Sequence, residues 1–204
     1  MAEIGIMGGT FDPIHNGHLL LGKQAYEEYK LDQIWFMPSG TPPHKKDHKV
    51  TDVKDRVAMV QLAIKKFPFF YCSDFEIQRP GNTYTAQTLQ LLHQEYPKHR
   101  FYFIVGADSL YQIEKWYHPA EVLERAIVLV ANREYEKSHR PIEGQIAYLK
   151  QQYHADVRLL HCQEVDISSG ELRKMEASGK KILSYVPKCV EEYIVSHGLY
   201  QTGP

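Results

Sequence analysis

Short, nearly continuous apolar runs, separated by stretches of helical period, most restrict what this chain can fold into. Ile4–Met7, Ile34–Met37, Phe69–Cys72, Phe101–Val105, Ile127–Val130 and Val157–Leu160 each read as a strand. Strands of this kind have no polar face to turn to water, so they need cover on both sides. Between them, Val53, Val57, Val60, Ile64 and Phe67 recur at helical spacing, with Thr51 or Asp52 available as a cap. Thr88–Tyr96 and Ile142–Tyr153 read as further helices, and Pro187 opens another that Gly198 stops. Such alternation predicts an α/β fold, a doubly wound parallel sheet of about six strands with right-handed crossovers. Residues 1–204 read as one domain, with a C-terminal helical segment over about 168–200 packed on it and loose residues at 202–204.

Composition narrows the partners. A net charge of −1 removes the electrostatic reason to expect nucleic acid. No apolar run is long enough to span a bilayer, and the first residues lack the basic-then-apolar order of a secretory leader. Cys72, Cys162 and Cys189 show no short paired spacing, which predicts free, small buried thiols in a reducing compartment, the cytoplasm. Ser39–Val50, with Pro42-Pro43 and several basic side chains, reads as a loop.

In sheets of this type ligands bind beyond the carboxyl ends of the strands. After the first strand comes Gly8-Gly9-Thr10-Phe11-Asp12-Pro13-Ile14-His15-Asn16-Gly17-His18, and Leu19-Leu20-Leu21 then begins a helix. Paired glycines let a backbone turn approach a ligand and aim amides at an anion, and the helix adds its free N–H groups and dipole. His15 and His18, three apart, share one face at the helix start and are placed to donate to one phosphoryl group. A zinc site would need a third ligand, and only Asp12 is near. A second helix start lies at Ile167-Ser168-Ser169-Gly170-Glu171, where Ser168 and Glu171 have capping-box spacing and Arg173 is one turn beyond Ser169. Read locally, this is a well-capped helix or a phosphate grip.

The first string resembles the signature of the nucleotidyltransferase superfamily that carries a His-x-Gly-His motif, a Rossmann-like fold related to class I aminoacyl-tRNA synthetases. Its wording is similar to that of bacterial nicotinate-nucleotide adenylyltransferases. The resemblance implies joining of ATP and nicotinate mononucleotide into deamido-NAD and pyrophosphate, with Mg2+ bound through the ATP phosphates. It implies catalytic roles for His15 and His18, and ATP-binding roles for Gly8, Gly9, Thr10, Phe11, Ile167, Ser168, Ser169 and Arg173. A threonine is usual in the family at position 170, where this chain has glycine.

Other elements match the family as well. Gly106-Ala107-Asp108-Ser109-Leu110 is similar to a Gly-x-Asp-x-Leu element of the nucleotide site, which implies roles for Gly106 and Asp108. Arg133, after the fifth strand, is similar to an arginine near the nucleotide. Lys45, Thr85, Trp116 and Tyr117 fall at positions that the resemblance assigns to the mononucleotide. A pyridinium is cationic, so an indole face is a suitable partner, worth about 0.5–2 kcal/mol. Val186-Pro187 through Gly198-Leu199-Tyr200 is similar to the family's C-terminal helix, so the likeness spans nearly the whole chain. Homodimer formation rests on the resemblance alone.

A phosphate monoester is already largely dianionic at neutral pH, its second pKa being near ~6, so the reaction needs no general base. Pantetheine-phosphate adenylyltransferase, a cytidylyltransferase and a non-catalytic nucleotide sensor are the alternatives. The first has no evident use for Trp116 on a pyridinium, and keeping His15, His18, Ser169 and Arg173 together would be uneconomical in a sensor.

Overall fold

The computed structural model describes residues 1–40, 50–131, 140–162 and 167–201. Strands β1 (Glu3–Gly9), β2 (Gln33–Pro38), β3 (Phe70–Cys72), β4 (Arg100–Val105), β5 (Ile127–Ala131) and β6 (Val157–Leu160) form one sheet in the order β3-β2-β1-β4-β5-β6. Every neighbouring pair is parallel. The six strands are the six apolar runs of the sequence, as two-sided burial requires.

Alternate strand residues feed two cores. On one face Met7, Ile34 and Phe36 pack with α1 (Asn16–Tyr29), α2 (Val53–Ile64), α7 (Ser169–Ala177) and α8 (Lys188–Ser196) through Leu19, Met59, Leu172 and Ile194. On the other, Ile4, Ile6 and Phe103 pack with α3 (Thr85–Glu95), α4 (Ala107–Gln112), α5 (Pro119–Arg125) and α6 (Ile142–Tyr153) through Leu89, Leu110, Val122 and Leu149. Ile34, Val60, Leu92 and Val122 are wholly buried. Each such side chain contributes roughly 1.5–3 kcal/mol from removal of its surface from water.

Helix ends follow local chemistry where a polar cap exists. Asp52 caps α2 by accepting from the Lys54 amide, and Ser168 with Glu171 forms the expected capping box on α7. The third helix begins at Thr85, three residues before its expected start, and its N-cap Tyr84 makes no side-chain cap bond that would mark the start in sequence. Cys72 and Cys189 are free thiols, and burial pushes the Cys72 thiol up to about 11. Among the described residues no helix is long and apolar enough to cross a membrane.

Strand order places the site. The chain winds outward from β1 through β2 to β3 on one side, then crosses to β4 and winds outward again to β6. Pairing of β1 with β4 ends at Ile6 and Phe103, whereas pairing of β1 with β2 continues to Gly9 and Pro38. A crevice therefore opens past Ile6 on the β4 side, at the point where the winding reverses.

Candidate active site

Gly8 and Gly9 are the last two positions of β1, not part of the turn after it as expected, because their pairing with Met37 and Pro38 extends the strand. With the β4 side unpaired there, two residues without side chains face the crevice. A Cβ on Gly8 would meet Phe103 at 3.6 Å and one on Gly9 would meet Phe11 at 3.4 Å, both ordinary contacts. The protein itself therefore does not demand glycine here. The open space belongs to the crevice.

That crevice is a cleft of about 570 Å³. Gly8, Gly9, Thr10, His15, His18, Thr85, Gly106, Trp116, Tyr117 and Ile167 all line it. Residues more than 150 positions apart thus line one cleft. Helix α1 begins immediately beyond His15, so both histidines stand at its mouth. The His15 amide donates to His18 Nδ1 at 3.2 Å, and the ring centroids lie 3.8 Å apart. An accepting Nδ1 leaves the proton of the neutral His18 ring on Nε2. The His18 ring is braced edge-on by Phe11 at 5.0 Å, and Phe11 itself is buried behind it in the left-handed region at φ 50°.

His15 differs from its neighbour. It is 8% exposed, and its Nδ1 is buried without a hydrogen-bond partner among the described residues. Burial pulls its pKa down to about 4, so the ring is neutral at pH 7.

The second motif packs onto the first. Ser169 Oγ donates to the Pro13 carbonyl at 2.9 Å, and Arg173 donates to the Asp12 carbonyl at 2.7 Å. Ser168 is engaged with Glu171 through its hydroxyl and its amide. A Cβ at Gly170 would lie 3.8 Å from Ser168 Oγ and 3.9 Å from Arg173, so a threonine there would meet no steric obstacle. Asp108 is exposed in the first turn of α4. Lys45 and Arg133 lie outside the described residues.

Trp116, which also lines the cleft, is half-buried and edge-on to Phe103 at 6.1 Å. Tyr117 is 45% exposed and lies 4.5 Å from the Tyr84 ring. Behind Thr85, the buried Glu76 accepts from the Thr83 and Thr88 hydroxyls at 3.0 and 2.8 Å, and burial raises its pKa. Ser39, which also lines the cleft, has a buried Oγ without a partner among the described residues.

Sequence reasoning missed the structural role of two residues that build the turn. Arg56 is 1% exposed and donates to the carbonyls of Thr51, Thr10 and Gly40 at 3.0, 2.8 and 3.2 Å. Asp12 is fully buried and accepts from the Thr51 amide at 3.3 Å and from the Tyr200 hydroxyl at 2.7 Å. An arginine in the amphipathic pattern of α2 looks like a solvated side chain. Its partners are main-chain carbonyls, which leave no mark in a sequence.

The cytidylyltransferase-like family matches residues 6–175. A protein of Lachnoclostridium phytofermentans named as a probable nicotinate-nucleotide adenylyltransferase is 42% identical over 200 residues, covering 98% of this chain and 100% of that one. One of the same name from Desulfitobacterium hafniense (strain DSM 10664 / DCB-2) is 40% identical over 202 residues, with 98% and 96% covered. Among solved structures, Plasmodium falciparum nicotinic acid mononucleotide adenylyltransferase complexed with NaAD has a TM-score of 0.81 at 21% identity, covering 98% of each chain. At that identity the likeness speaks for the fold, including the doubly wound sheet. By sequence, the chain belongs to the cytidylyltransferase-like family and, within it, to the nicotinate-nucleotide adenylyltransferases.

Proposed function

We propose that this chain joins ATP and nicotinate mononucleotide, giving deamido-NAD and pyrophosphate. The observation that carries this reading is the pair of adjacent histidine rings at the mouth of α1, beside the two glycines that end β1 in the same cleft. In the reaction an oxygen of the mononucleotide 5′-phosphate attacks the ATP α-phosphorus. One P–O bond forms, and the bond to the bridging oxygen breaks. Pyrophosphate leaves with that electron pair. The attacking phosphate is dianionic, so no base has to remove a proton.

The work of the site is to hold two anions together and to stabilise the charge that gathers on the α-phosphate. His18, carrying its proton on Nε2, donates to that phosphate. His15, neutral at pH 7, adds a hydrogen bond and no formal charge. Each such donor contributes roughly 2.7–4 kcal/mol, by analogy with oxyanion sites. Ser168, Ser169 and Arg173 belong to the β- and γ-phosphates, with Gly8, Gly9, Thr10, Phe11, Gly106, Asp108, Arg133 and Ile167 around the rest of the nucleotide. Lys45, Thr85, Trp116 and Tyr117 belong to the mononucleotide, the indole facing its cationic ring.

Among the described residues no group of three His, Cys, Asp or Glu side chains converges to cage a metal. Mg2+ would be held on the phosphate oxygens of ATP, where it would offset their charge.

The test supplies ATP and Mg2+ with nicotinate mononucleotide, nicotinamide mononucleotide or phosphopantetheine and measures pyrophosphate. Release with nicotinate mononucleotide is expected. Release with phosphopantetheine alone transfers the chain to the alternative adenylyltransferase class, and release with none of the three makes it a nucleotide sensor.

A further inference from the structure

The turn that carries His15 is gripped from the far end of the chain. Arg173 holds the Asp12 carbonyl and Ser169 the Pro13 carbonyl. The Asn16 amide donates to the Tyr185 carbonyl at 2.8 Å. The remaining contact is of another kind. Tyr200, beyond the end of α8, donates its hydroxyl to Asp12 Oδ1 at 2.7 Å, across 188 residues of sequence.

Both ends of that hydrogen bond are costly to build. Asp12 is fully buried, so a lost donor leaves an oxygen with no water to turn to. The opposite oxygen already accepts from Thr51, and Arg173 stands 4.0 Å away. Tyr200 sits in the left-handed region at φ 64°, a conformation that a bulky side chain adopts only when its surroundings compel it. Burial and the neighbouring Asp12 raise its phenol pKa, which keeps the hydroxyl a donor at every pH the enzyme meets. A packing role alone would need neither the strained backbone nor the hydroxyl.

We propose that Tyr200 is a positioning residue for the phosphate site: through Asp12 it fixes the turn that sets the His15 and His18 rings. The effect on turnover rests on the adenylyltransferase reading above, whereas the effect on ring geometry does not. Tyr193 provides the contrast. It is a second tyrosine of the same C-terminal segment, and its hydroxyl donates to Asp55 at 2.9 Å on α2 and not to a residue of the turn.

The experiment compares Tyr200→Phe and Tyr193→Phe in the full chain by steady-state kinetics and by 15N resonances of the histidine rings. Tyr200→Phe is expected to lower kcat at least about tenfold, with KM for nicotinate mononucleotide within about twofold, because a small displacement of the reacting geometry acts on turnover. Its His18 ring loses the fixed Nε2–H tautomer, and the nitrogen shifts move toward averaged values. Tyr193→Phe keeps kcat and ring shifts within about twofold and within error of the unaltered protein. Equal behaviour of the two variants, or unchanged kcat and ring shifts in Tyr200→Phe, overturns the proposal. If the unaltered protein releases no pyrophosphate, the functional reading falls and the ring resonances still decide the role of Tyr200. Should Tyr200→Phe fail to fold, Asp12→Asn is read in the same two ways, with unchanged kcat and ring shifts again overturning it.

Discussion

His15 and His18 are joined twice, by a hydrogen bond from the His15 amide to His18 Nδ1 and by rings 3.8 Å apart with an interplanar angle of 32°. The bond orients the second ring and fixes where its proton sits. The first ring presses on it from the protein interior. A donor so fixed at a developing charge acts on the transition state more than on the bound nucleotide. His18→Ala should therefore lower kcat by about 100-fold or more while the Kd for ATP changes less than about threefold. Single-turnover kinetics and calorimetry separate the two quantities, and an unchanged kcat would remove His18 from the mechanism.

Burial of His15 carries a pH signature. Its pKa is held at about 4, well below its ordinary value of 6.5. Between those values the unfolded chain binds a proton that the folded chain refuses. Stability from this group is thus complete above about pH 6.5 and declines as pH falls toward 4, by at most about 3 kcal/mol. Urea unfolding of the unaltered protein at pH 7 and pH 4.5 should show this loss, and His15→Gln should show less of it. Equal losses in both proteins would mean that the imidazole is more hydrated than its position indicates.

Arg56 donates to main-chain carbonyls on three segments, at Thr10, Gly40 and Thr51. Arg56→Ala strands those acceptors and leaves a buried void, which costs about 3–5 kcal/mol. Thermal unfolding should begin roughly 6–15 °C lower in a chain of this size. Arg56→Lys should recover only part of that, since an ammonium cannot reach three carbonyls in the geometry of a guanidinium fork. A midpoint within 2 °C, roughly, of the unaltered protein in Arg56→Ala would contradict this account.

Trp116 lines the same cleft as the histidines. If its face meets the pyridinium, Trp116→Ala should raise KM for nicotinate mononucleotide by about 2- to 30-fold, the equivalent of about 0.5–2 kcal/mol. The KM for ATP should stay within about twofold. Parallel increases in both would assign the indole to packing of the cleft wall.

The layered architecture was legible because burial on two faces writes itself into sequence as uninterrupted apolar runs, and each of the six became a strand. Ser168 and Glu171 announced their helix because a capping box is made by side chains at fixed spacing. Helices α4 and α5, of six and seven residues, were not expected, since neither is long enough to display a period. The glycines that end β1 were expected in a turn, because the sequence says nothing of how far the neighbouring strand continues. Arg56 and Asp12 were invisible as structural residues for a related reason: charged side chains read as solvated until the carbonyl, amide and phenol that enclose them are brought from elsewhere. The resemblance to known adenylyltransferases named candidate residues, of which Gly8, Gly9, Thr10, His15, His18, Thr85, Gly106, Trp116, Tyr117 and Ile167 line the cleft, and the geometry added the scaffold of Arg56 and Asp12.

The contacts that clasp the histidine turn span 156 residues from Pro13 to Ser169, 161 from Asp12 to Arg173 and 188 from Asp12 to Tyr200. Contacts so distant form late, after the loops between them have closed. A nascent chain that has emerged only as far as β6 already contains both imidazoles and Arg56, yet lacks Ser169, Arg173 and Tyr200. Seating of the two rings is therefore completed only when the segment from Ser169 to Tyr200 has folded back onto the turn after β1.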